Sequence, residues 1–138
     1  MHFAGRLSIP QLLLDLQAED RATRLQAVAD LGKIGNPAAL PGLGQALKDA
    51  DTHVRKLAAL ALGDLGPQAQ AAVSALLEAL NDPEASVRRR SAMALGEVGS
   101  LTALTGLQAA VADADAGVRR AARTSLEMIQ AGERCQAA

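Results

Sequence analysis

The chain has 138 residues and a formal net charge of −1, with no Trp or Tyr and a single Phe, Phe3. That length suffices for one domain with a sizeable core, but so few aromatic residues leave a β-sandwich or a large α/β sheet little to pack with. A charge near zero excludes an all-over attraction to nucleic acid or acidic membranes, and a single cysteine, Cys135, excludes an intramolecular disulfide.

Met1 to Leu7 form a lead-in. Ser8-Ile9-Pro10-Gln11 then reads as a capping box, and the spacing of Ile9, Leu12, Leu13 and Leu16 predicts a helix with one apolar face. The run Leu12-Leu13-Leu14 is cut by Asp15, too short for a signal-peptide core or a membrane span, so a cytoplasmic protein is expected. Asp20 caps a second helix that buries Ala27, Leu31 and, past Gly32, Ile34.

The same grammar recurs. Leu40, Leu43 and Leu47 lie on a first helix opened by Asn36-Pro37 and Pro41 and weakened by Gly42 and Gly44; Asp51 then caps a second helix bearing Val54, Ala58, Leu62 and Leu65. A connecting loop, Gly66 to Gln70, leads to Val73, Leu76, Leu77 and Leu80, then to Val87, Ser91, Leu95 and Val98. The last pair has Leu104, Leu107 and Val111, then Val118, Ala122, Leu126 and Ile129. Arg24, Arg55, Arg88 and Arg119 hold one register, at intervals of about 32 residues, the period of stacked helical hairpins. The expectation is one domain over 1–138, with repeats at about 8–35, 36–66, 67–99 and 100–130 and a tail over 131–138.

The stretch Asp51-Thr-His-Val-Arg-Lys-Leu-Ala-Ala-Leu-Ala-Leu-Gly-Asp-Leu-Gly66 resembles a HEAT repeat, of the short type named after phycobilisome lyases. The resemblance covers about residues 8–130. It implies an all-α, right-handed α-solenoid of four hairpins, with the second helices lining a concave face and the recurring arginines bonded to turn carboxylates. Departures are Thr23 where Val is usual, Glu84 in place of the capping Asp, and Glu127 and Gln130 in place of two glycines. Gly32, Gly63 and Gly96 are read as helix stops; without an equivalent the last helix lacks a stop, and Arg123 stands where Val28, Ala59 and Ala92 should face a following hairpin.

No catalytic constellation stands out. The acidic pairs Glu19/Asp20, Asp49/Asp51, Asp82/Glu84 and Asp113/Asp115 recur once per repeat and read as caps. His2 and His53 are far apart, with no ligand-spaced Cys or His, so no metal is expected; Cys135 reads as a thiol in an unstructured polar tail.

What remains is the outer face of the second helices. At about 100° per residue, the residues one and five places after each recurring Arg point away from the core: Leu25, Lys56, Arg89 and Arg120, then Ala29, Leu60, Met93 and Thr124. Leu60 and Met93, with Leu57, form an apolar centre, and His53, Lys56, Arg89, Arg90 and Arg120 a basic rim. The expectation is a non-enzymatic module that needs no cofactor and holds a protein segment of acidic and apolar character. The resemblance implies an alternative, a phycobilin lyase-type role with a bilin whose propionates pair with Arg89, Arg90 and Arg120. Nucleic-acid binding is a weaker alternative, since aromatic stacking residues are missing. The chain is expected as a monomer, or as a homodimer through the first-hairpin edge near Phe3, Leu13 and Leu14.

Overall fold

In the computed structural model, which describes residues 8–137, eight α-helices alternate short and long: α1 Ile9–Asp15, α2 Arg21–Ile34, α3 Leu40–Ala46, α4 Thr52–Leu65, α5 Val73–Ala79, α6 Ala85–Val98, α7 Leu104–Ala110 and α8 Ala116–Ala137. They pair into four hairpins, and α2, α4, α6 and α8 stack in that order into one layer of an all-α solenoid. The described residues contain no strand.

Caps set the helix starts. Asp20 Oδ2 accepts from the Thr23 N–H, and Asp51 Oδ1 from the N–H groups of His53 and Val54. Glu84 makes no side-chain cap bond; Asp82 Oδ1 instead accepts its backbone N–H at 2.9 Å. Ser8 Oγ accepts from the Gln11 N–H, but the Gln11 side chain turns forward to Asp15, so only half of the expected capping box forms.

Between hairpins the recurring arginines do two jobs at once. Arg55 Nε and Nη2 donate to the Asp82 carboxylate of the next hairpin at 2.8 and 3.2 Å, while Nη1 donates to the Asp49 and Ala50 carbonyls of its own turn. Arg24 grips Asp49 and Arg88 grips Asp113 in the same way. Among the described residues Arg119 has the turn carbonyls alone. The Arg88 hydrogen bonds hold the Asp113 carboxyl below the usual carboxylate range, more than offsetting its partial burial.

Glycine placement corrects one expectation. Gly32, Gly63 and Gly96 lie inside helices, not at their ends. A Cβ on Gly63 would sit 3.2 Å from the Ala94 Cα, and one on Gly96 would meet Ser125. These glycines therefore admit the next helix rather than stop their own, and Ser125 Oγ donates to the Ala92 carbonyl at 2.6 Å in that contact. The stops are Gly35, Gly66 and Gly99, with φ of 67°, 59° and 77°.

The core is the expected Leu, Val and Ala set, from Leu12 to Ile129. Ile34 departs from it, being 46% exposed at the C-terminal end of α2. Gly66–Ala72 is not an open loop but a run of 3₁₀ turns that buries Ala69 and Ala72. Buried Ser91 stands where the other hairpins have Ala27, Ala58 and Ala122, and its hydroxyl has no partner among the described residues, a cost of about 1–3 kcal/mol.

The ends also differ from expectation. Residues 131–137 continue α8, so Cys135 is helical and exposed rather than part of an unstructured tail. Arg123, Glu127 and Gln130 face water. At the first hairpin, Leu13 packs inward onto Gly42, and Asp15, Thr23, Gln26 and Asp30 line the open edge. Leu14 is 68% exposed, and Phe3 lies outside the described residues.

Replacing Arg88 by Ala removes both the Asp113 grip and the turn bonds, whereas Arg119→Ala removes turn bonds alone. In urea unfolding Arg88→Ala is expected to cost about 3 kcal/mol and Arg119→Ala about 1 kcal/mol. Equal losses would mean that the carboxylate contributes nothing to joining hairpins.

Candidate interaction face

The second helices expose a common face. On α4 and α6 the positions five residues after the recurring Arg carry Leu60 and Met93, which are 37% and 43% exposed. They are held there because the opposite sides of the same helices, Val54, Ala58 and Leu62 on α4 and Val87, Ser91 and Leu95 on α6, are fully buried.

Between α2 and α4 this face dips into a groove of about 330 Å³ that brings together His53, Lys56, Leu57, Leu60 and Arg90 with Arg21 and Leu25. It continues past Leu60 into a depression of about 220 Å³ lined by Ala29, Lys33, Ala61 and Asp64. The other expected residues stand apart from the groove. Met93 projects from α6, the Arg89 side chain lies over Gly117 in the first turn of α8, and Arg120 is exposed on α8.

Two features of the face are absent from the sequence reading. Arg21 is one: its Nε lies 2.8 Å from Asp51 Oδ2, which ties the start of α2 to the cap of α4 at the mouth of the groove. Its signal was its place directly after the capping Asp20. Partial withdrawal from water pushes the Asp51 carboxyl up, but the Val54 and His53 N–H donors and Arg21 together hold it below its ordinary range. The second is an acidic edge. Asp64 and Glu97 follow Leu60 and Met93 by four residues and so occupy the same helix face one turn on. The apolar centre is thus bordered by basic residues on one side and by carboxylates on the other, not by a basic rim throughout. Burial, with the neighbouring Asp64 charge, raises the Glu97 carboxyl above its ordinary range against an opposing pull from Arg90.

A larger depression, about 380 Å³, lies elsewhere, over the Arg55–Asp82 pair. Those charges already satisfy each other, so it is a by-product of the hairpin joint. Among the described residues no group of three or more His, Cys, Asp or Glu is placed to hold a metal ion, and no helix is long and apolar enough to cross a membrane.

The sequence matches the family model for HEAT repeats twice, over residues 9–73 and 67–127. No curated protein matches it. Among solved structures, human deoxyhypusine hydroxylase is similar at 28% identity and a TM-score of 0.80, over 89% of this chain but 43% of that one. The chain therefore spans less than half of that protein. The complex of CpcE and CpcF of phycocyanin lyase from Nostoc sp. PCC7120 is similar at 26% identity and a TM-score of 0.76, over 88% of this chain and 82% of that one. A designed armadillo repeat protein, 20% identical with a TM-score of 0.67 over 88% of this chain and 64% of its own, shares the fold.

The raised Glu97 carboxyl makes a pH-dependent prediction. Its folded state holds the proton more tightly than the unfolded chain, so stability falls as pH rises through and above the carboxylate range. Glu97→Gln is expected to raise the urea midpoint at neutral pH, the gain vanishing at acid pH where wild-type Glu97 is itself neutral. A gain of equal size at both pH values would assign the effect to packing.

Proposed function

The chain belongs to the HEAT-repeat family, and we propose that it is a non-enzymatic interaction module that holds a protein partner on the face of α2, α4, α6 and α8. The supporting observation is the exposure of Leu60 and Met93 in the middle of that face. Large apolar side chains set at equivalent positions of neighbouring helices, with a charged surround, are the pattern of a contact surface. Met adapts its flexible thioether to irregular partners. His53, Lys56, Arg89, Arg90 and Arg120 favour carboxylates on the partner, and Leu57 with Leu25 offers a floor for an apolar side chain. This reading needs no cofactor, and we propose a cytoplasmic location alongside it.

A second reading is favoured by the likeness to the phycocyanin lyase complex: a role in attaching or chaperoning an open-chain tetrapyrrole on a light-harvesting protein. Arg89, Arg90 and Arg120 would then pair with the bilin propionates.

One experiment addresses both. Affinity capture from a lysate of the source organism is run with the wild type beside Leu60→Asp/Met93→Asp, with folding checked by circular dichroism. One protein is expected to be depleted by about tenfold or more in the variant. Visible absorbance of the captured material would favour the tetrapyrrole reading. Capture unchanged in a folded variant would remove the site from this face.

A further inference from the structure

Four arginines of this fold hold one geometry, and three of them show what that geometry binds. In every hairpin Nη1 is fixed by two carbonyls of its own turn, at 2.9 and 2.9 Å for Arg24, 2.9 and 3.2 Å for Arg55, 2.8 and 3.3 Å for Arg88, and 2.7 and 3.0 Å for Arg119. With Nη1 pinned, the planar guanidinium turns its Nε and Nη2 edge toward the place of the next hairpin. There Arg24, Arg55 and Arg88 each meet both oxygens of an aspartate, Asp49, Asp82 and Asp113 respectively, at 2.8 to 3.3 Å. Each aspartate is held by its own turn, since its Oδ1 also accepts the backbone N–H two residues on, at 2.8 or 2.9 Å. Arg119 is oriented in the same way, but among the described residues its Nε and Nη2 meet no acceptor. The carboxylate of its own turn, Asp113, is committed to Arg88.

The end of the solenoid around Arg119 is also incompletely covered. Leu126 is half-buried where Leu31, Leu62 and Leu95 are fully buried, and Val111 is half-buried where Leu47 and Leu80 are buried. Arg123, four residues after Arg119, adds a second cation on that side of α8. The chemistry that fits is a carboxylate with an apolar side chain beside it. A helix stacked along α8 does not fit, because Arg123 and Glu127 stand where Ala92 and Gly96 let α8 approach α6. A second copy set end to end does not fit either, because its first hairpin carries Ala18 where the later hairpins carry Asp49, Asp82 and Asp113.

We propose that Arg119 is a docking point at the end of the solenoid for a different protein, whose turn aspartate takes the place that Asp49, Asp82 and Asp113 take at the other three arginines. The bidentate pair fixes the orientation of the partner's turn, and Leu126 with Val111 receives the apolar side chain. The site uses neither Leu60 nor Met93, so it stands or falls separately from the second-helix face.

NMR of the arginine Nε–H groups tests this on the full chain, at about pH 6 where carboxylates are ionised. The probe is the acetylated and amidated peptide Ala-Asp-Ala-Asp-Ala-Gly, the sequence of residues 112–117 and the turn that Arg88 grips. Arg119→Lys identifies the Arg119 signal by its loss. Titrated into the millimolar range, the peptide is expected to shift that signal saturably and to leave those of Arg24, Arg55 and Arg88 unmoved. The same peptide with Asn in place of its first Asp is expected to shift it several-fold less. No saturable shift, or an equal shift with the Asn peptide, overturns the proposal. A larger shift with inorganic phosphate at equal concentration also overturns it, by making this a phosphate site. So does a shift that grows with protein concentration alone, which would make the occupant a second copy.

Discussion

Each long helix is joined to the next by one arginine reaching across the turn. Its Nε and Nη2 close on a carboxylate of the following hairpin, and Nη1 bonds the carbonyls of its own turn. A guanidinium suits this because its donors are rigid and diverge in one plane. The pairs are mostly buried, Arg55 and Asp82 retaining 12% and 7% of their side-chain exposure. Such a pair is tolerated because every side of the ion is hydrogen-bonded: the carboxylate oxygen Asp82 Oδ1 also accepts the Glu84 N–H. The joint fixes the relative height of successive second helices, and the outward side chains fall into rows because of it.

This architecture was legible because the same local solution is written four times. Arg24, Arg55, Arg88 and Arg119, with their caps and apolar spacings, place every long helix. What the sequence could not separate was two uses of glycine. Gly63 and Gly66 lie three residues apart near one helix end; one admits Ala94 and the other takes the positive φ that ends the helix. Only the distance between α4 and α6, a tertiary quantity, distinguishes them. Leu13 was misplaced for a similar reason, because the space above Gly42 that receives it belongs to the next hairpin.

The interaction face was legible by half. Counting outward positions from the arginine finds Lys56, Leu60, Arg89, Met93 and Arg120, and the structure leaves Leu60 and Met93 exposed. The count stopped one turn early, so Asp64 and Glu97 were left out, and with them the charge order across the face. Arg21 was hidden because it precedes the register arginine and its role depends on Asp51 of another hairpin. Charge order and cross-hairpin pairs emerge only once the helices are set side by side.

The claim that interaction occurs on the second-helix face is tested most directly by methyl NMR on the chain labelled at its methionines. Met93 and Met128 lie on that face, exposed, and on different helices. Adding the captured partner is expected to shift or broaden both methyl signals. Partner binding, established independently, that leaves both signals unmoved would contradict the account and place the contact elsewhere on the solenoid.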